Sequence, residues 1–132
     1  MSSITFTKKD LASLVDHHIA LLERFGISEE APFSIIYFSL EGREEVDSIE
    51  IFQKILRQTD ALFQIENAFI VMLPGTDWNG ATELLAGIQD FLDQGAQDNI
   101  VSFPEDGKNA KVLLRKLQEL IEDNCDIIVN LN

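Results

Sequence analysis

Two short apolar runs, Ala61 to Ile65 and Phe69 to Leu73, are joined at Glu66-Asn67. Asn at such a junction tolerates the left-handed backbone of a tight turn, so the pair predicts two antiparallel strands folded back on each other. The rest of the chain has to be arranged around this hairpin. Upstream of it, Phe33 to Leu40 (FSIIYFSL) is rich in aromatic and β-branched residues and predicts a buried strand, with the nearly continuous apolarity of a central one. The polar segment EGREEVD follows, and Asp47 is placed to cap a helix carrying Ile49, Phe52, Ile55 and Leu56, with Glu50 three residues past the cap.

Downstream, Pro74-Gly75 closes the second hairpin strand, and Asp77 offers a cap to a helix from about Trp78 to Leu92, where Ala81, Leu84, Leu85, Ile88, Phe91 and Leu92 face inward. A short strand, Asn99 to Phe103, leads through the turn Pro104-Glu105-Asp106-Gly107 to a helix starting near Asn109, with Val112, Leu113, Leu117, Leu120 and Ile121 as its apolar set. Asp126 to Leu131 reads as a last strand. Before all of this, Thr7 and Asp10 resemble a capping pair for a helix running to about Phe25, with Leu11, Leu14, Val15, Ile19 and Leu22 on one stripe and Gly26 as its stop. Two helix-containing connections around a central antiparallel hairpin predict an α/β fold with a mixed sheet of the ferredoxin-like type. The 132 residues suit one domain, with an N-terminal helix over about 7–25 and a core over about 33–131.

Composition narrows the function. The formal net charge is -13, from 23 acidic against 10 basic side chains spread along the chain. A field of that sign repels phosphate backbones and anionic lipid, which argues against nucleic-acid or membrane-surface binding and favours a partner with a basic surface. The same balance also suits a merely soluble, bacterial-type protein. Apolar stretches such as Phe69 to Leu73 fall far short of the roughly 20 residues a membrane crossing needs. The start MSSITFTKKDLASL lacks a basic region followed by an unbroken apolar core, so a cytoplasmic address is expected.

The chain carries little of the chemistry that marks an active site. Its seven glycines are isolated and form no phosphate-cradling loop. One cysteine and two histidines are too few for a zinc site; His17 and His18 are adjacent and point about 100° apart on a helix, and Cys125 reads as a small packed hydrophobe. Ser39 and the two histidines make no supported triad. Glu41 and Glu66 fall at the ends of neighbouring strands, where they either bind a hard cation such as Mg²⁺ or are simply solvated. Arg57 and Asp60, three apart ahead of the hairpin, suit either a local ion pair or a pair of parallel bonds from the arginine to a phosphate or carboxylate.

The segment RQTDALFQIENAFIVMLPGTDWNGATELLAGI, Arg57 to Ile88, resembles the signature region of diguanylate cyclase (GGDEF) domains. There an Arg-x-x-Asp turn precedes a hairpin bearing Gly-Gly-Asp/Glu-Glu-Phe, then a strand ending in Leu-Pro-Gly-Thr. PFSIIYFSL (Pro32 to Leu40) and VSFPEDGKNAKVLL (Val101 to Leu114) are similar to the family's first strand and to the strand, turn and helix after the signature. The resemblance implies a nucleotidyl-cyclase-like sheet. The signature itself is degenerate: this chain has Ile65-Glu66-Asn67-Ala68-Phe69, both glycines are gone, and Asp60 to Phe69 is one residue short. The acid that would hold metal falls on or beside Asn67, and its partner at the end of the first strand falls on Ser39. Glu41 lies near the place of that strand's second acid.

Phosphoryl transfer by the family's route needs carboxylate-held metal, so the resemblance implies a domain without catalysis, metal or cofactor. The expected function is signalling or scaffolding through a protein partner, with a homodimer as one form of it. An exposed Phe25 or Trp78 would mark the contact surface. Arg57-x-x-Asp60 resembles the motif with which members of the family bind cyclic di-GMP, so a cyclic-dinucleotide receptor is the second reading. A divalent-metal-dependent nucleotidyltransferase using Glu41 and Glu66 is the third.

Overall fold

The structure, a computed structural model, describes residues 4–39, 56–65, 68–91, 99–125 and 128–131. Its elements are β1 (Ile4–Thr7), a short 3-10 turn (Lys8–Asp10), α1 (Leu11–Arg24), β2 (Phe33–Ser39), β3 (Ala61–Ile65), β4 (Ala68–Pro74), α2 (Trp78–Phe91), β5 (Ile100–Phe103) and α3 (Ala110–Cys125). The five strands form one sheet in the order β1-β3-β4-β2-β5. β1 runs parallel to β3, and every other neighbouring pair is antiparallel. The expected mixed sheet is therefore present, and the hairpin supplies its middle strand, β4.

Periodicity explains how one strand serves two layers. Along β2, Phe33, Ile35 and Tyr37 join a core cluster with α1 and α3, whereas Ile36 and Phe38 join a second cluster with α2. Successive side chains of a strand point to opposite faces, so a strand covered on both sides must be apolar almost throughout. β4 obeys the same rule, with Ala68, Ile70 and Met72 on the first face and Phe69, Val71 and Leu73 on the second. Phe33, Phe63 and Phe69 are fully buried, and each such side chain stabilises the fold by about 1.5–3 kcal/mol. Leu56, the one described residue of the helix expected from Asp47 onward, is buried in the second cluster; the remainder of that helix lies outside the described residues.

The N-terminal helix belongs to the core. Leu11, Val15, Ile19 and Leu22 of α1 are buried against the sheet. Its end is fixed by Gly26 at φ +66, whose N–H donates to Glu23 O at 3.1 Å while Ile27 N–H donates to Leu22 O at 3.0 Å. That pair of bonds is the Schellman arrangement, which needs a left-handed residue and so favours glycine. Its other end differs from expectation. Thr7 Oγ1 donates to the Asp10 carboxylate at 3.2 Å, but neither side chain caps a helix N–H, because residues 8–10 form the 3-10 turn and Thr7 ends β1. α1 and α3 are also tied by a polar contact: Asp16 Oδ1 accepts the Ala110 N–H at 2.8 Å, beside the local cap in which Asn109 Oδ1 accepts the Val112 N–H at 2.9 Å.

One expected strand is not found among the described residues. Residues 128–131 hold no strand, and α3 extends to Cys125. The Leu131 N–H donates to Gln118 Oε1 of α3 and its side chain is buried, so this segment is held on the helix rather than in a ladder. Among the described residues no helix is long and apolar enough to cross a membrane.

Candidate functional site

The turn from Leu56 to Asp60 closes on itself. Asp60 N–H donates to Arg57 O at 3.0 Å, and Arg57 N–H donates back to Asp60 Oδ2 at 2.8 Å. The guanidinium then lies edge-on to the same carboxylate, with Nε 3.1 Å and Nη2 2.8 Å from Oδ1. The side chain of Asp60 is 3% exposed and that of Arg57 54%. A buried carboxylate needs a counter-charge and donors on its lone pairs, and this turn supplies both from one residue.

A second turn completes the clamp. Leu73-Pro74-Gly75-Thr76 has Gly75 at φ +73 and a bond from Thr76 N–H to Leu73 O at 3.3 Å. Pro followed by a left-handed Gly is the sequence of a type II turn. It presents the Pro74 carbonyl and the Thr76 hydroxyl to Arg57 Nη2, at 2.8 and 3.0 Å. The two pieces of sequence singled out for family resemblance, Arg-x-x-Asp and Leu-Pro-Gly-Thr, thus meet. From Thr76 the polar path continues inward. Ser34 Oγ donates to Thr76 O at 2.9 Å and shares a hydrogen bond of 2.8 Å with Ser102 Oγ; the Ser102 N–H donates to Asp106 Oδ2 at 2.8 Å. Buried Ser34 and Ser102 are satisfied by this path, as buried hydroxyls must be.

The other candidate positions are elsewhere. Ser39 is the last residue of β2 and is paired in register with Ala68, the first of β4. Arg57 bonds the opposite end of β4, at Pro74. Six residue steps separate Ala68 from Pro74, or about 20 Å along a strand, so Ser39 and the Arg57–Asp60 clamp are distinct places. Glu41, Glu66 and Asn67 lie outside the described residues. Among the described residues no group of three or more His, Cys, Asp or Glu side chains could hold a metal ion.

Two further features lie away from these positions: a cleft that the sequence does not reveal, and a surface that Phe25 marks in advance. A cleft of about 200 Å³ lies between α1 and the turn at 58–61, bounded by Phe6, Leu14, His17, His18 and Met72 among others. His18 is half-buried, edge-on to Phe33 with ring centroids 5.1 Å apart. Burial, and secondarily His17, lowers its pKa below the ordinary value. The second feature is the outer side of α1. Leu21 and Phe25 are one helical turn apart and 39% and 66% exposed. Trp78, at the start of α2, is 41% exposed. It stands on the helix covering the opposite sheet face, so it does not extend the Leu21–Phe25 pair.

No protein-family model matches the chain, and no curated protein matches it in sequence. Among solved structures, it is similar to a sensory box/GGDEF family protein from Caulobacter crescentus CB15. The identity is 15% and the TM-score 0.66, covering 92% of this chain and 93% of that one. This likeness shows a GGDEF-like fold.

Proposed function

We propose that this chain is a non-catalytic, cyclase-like signalling domain of the cytoplasm that acts by binding a protein partner, with the outer end of α1 as part of the contact surface. The observation that carries this reading is Phe25, two thirds exposed at the C-cap of α1, one helical turn from the exposed Leu21. A contiguous apolar pair of this kind gains free energy when a partner covers it. Exposed Glu23, Glu29 and Glu30 flank it in the sequence, with Arg24 the one cation in that stretch. Together with the net charge of -13, this favours a partner whose rim is basic. The reading of no catalysis rests on the resemblance, by which one metal-holding acid of the family falls on Ser39 and the other on or beside Asn67.

The experiment is site-specific photocrosslinking in the source cell, with a photoreactive residue in place of Phe25 or, as control, of exposed Glu122 on α3. The expected result is a discrete heterologous product from position 25 alone, lost when Leu21→Glu is added. Identical products from both positions, or none, would overturn the assignment of this surface. A product of twice the chain mass would make the partner a second copy.

The cyclic-dinucleotide reading draws support from the half-exposed guanidinium of Arg57. A ligand there would have to take the arginine from Asp60, Pro74 and Thr76, or use its outer edge while these bonds persist. The closed clamp therefore favours an internal role.

A further inference from the structure

We propose that the cleft between α1 and the turn at 58–61 is a small-molecule site for an uncharged ligand of about one substituted aromatic ring. The size sets the upper limit. A cavity of about 150 Å³ accepts benzene, and pockets for drug-sized ligands begin at about 300 Å³. At about 200 Å³ this cleft takes a ring with one or two small substituents and is too small for a dinucleotide.

The walls set the chemistry. Phe6, Leu14, Ala61, Met72 and Pro74 supply apolar surface, including a phenyl ring stacked on Phe63 and a thioether, both good partners for an aromatic face or edge. At the rim, His17, Gln58 and Thr59 are exposed, and no other described residue makes a hydrogen bond to their side chains. They offer donors and acceptors to a hydroxyl or amide substituent on the ring.

Charge excludes ions. Among the described residues no Lys or Arg lines the cleft. Asp60 does, but its carboxylate is closed on Arg57 and the Arg57 N–H. His18 is held toward its neutral form by burial. A charged ligand would lose its hydration and meet no counter-charge. The cleft shares Asp60 and Pro74 with the Arg57 clamp, while Leu21 and Phe25 of the protein-contact surface are not among its lining residues.

The test uses the intact chain, which has two methionines, Met1 and Met72, so that the Met72 methyl is a resolved reporter of the cleft. Phenol, benzoate and benzylamine, which share a ring and differ in charge at neutral pH, are titrated while methyl, His ring and amide resonances are followed by NMR. Phenol is expected to shift Met72 and His18 saturably, with a Kd on the order of 1 mM or below, and the two ions to bind at least about tenfold more weakly. Leu14→Trp, which fills the cleft, should abolish the phenol shifts. Ala61→Leu fills the opposite wall and serves if the first variant does not give a native amide spectrum. Non-saturating shifts, shifts that survive in a folded filled variant, or equal binding of benzoate or benzylamine would overturn the proposal.

Discussion

The Arg57–Asp60 turn and the outer end of α1 make opposite use of their residues. The turn carries the polar motif most suggestive of a ligand, yet its buried carboxylate is closed on its own arginine, which is further held by Pro74 and Thr76. The end of α1 carries two apolar residues that ordinary folding would bury, and they are open. A recognition motif is available only if its bonding capacity is not already met inside the fold. A residue the fold leaves unburied is the better guide to what meets other molecules.

The largest expected effect breaks the turn. Arg57→Ala removes the counter-charge of a carboxylate that is 3% exposed. It should cost about 3 kcal/mol in urea denaturation, because the charge left behind stays buried. Asp60→Ala should cost less, about 1–2 kcal/mol, since the half-exposed arginine can turn into water. Equal costs, or a larger cost for Asp60→Ala, would mean that the turn is not held by a buried charge.

These residues show how far the sequence can be read. The Arg-x-x-Asp spacing is visible at once, but the acceptors that close the clamp come from 17 and 19 residues downstream. No local pattern reports that meeting. Conversely, β2 and the hairpin are legible because burial on both faces demands continuous apolarity, and a two-residue junction leaves no other path. β1 is hard to read from sequence because its signal is only the alternation of Ile4 and Phe6 ahead of a helix. Ile128 and Val129 favour a strand by local propensity, whereas strand formation also requires a partner in the sheet, which propensity does not reveal. Phe25 could be named in advance as a marker of a surface, but its exposure is decided by how α1 lies on the sheet.

Smaller effects are expected at α1. Asp16→Ala removes the bond to the Ala110 N–H that ties α1 to α3, and should cost about 1 kcal/mol in the same assay. If it costs nothing, the placement of α1, and with it the open face, is not fixed by that bond. Phe25→Ser should change stability by less than about 0.5 kcal/mol, in contrast to Arg57→Ala. A clear loss would show that Phe25 serves the fold.

The smallest effect is one of pH. The His18 pKa is lowered in the folded chain from an ordinary value of 6.5, so the unfolded chain binds that proton more readily. Its contribution is complete above 6.5 and is lost as pH falls through the folded-state value. In melts from about pH 7.5 to about pH 5.5, the wild type should lose more Tm than His18→Gln, and equal losses would remove His18 from the account.

On this reading Arg57 and Asp60 form an internal clamp, not a receptor site. Calorimetric titration of the intact chain with cyclic di-GMP, repeated on Arg57→Ala, tests it most directly. No saturable heat from either protein is predicted. Micromolar binding by the wild type that Arg57→Ala abolishes, with that variant still folded by its amide spectrum, would contradict the claim and make the chain a cyclic-dinucleotide receptor.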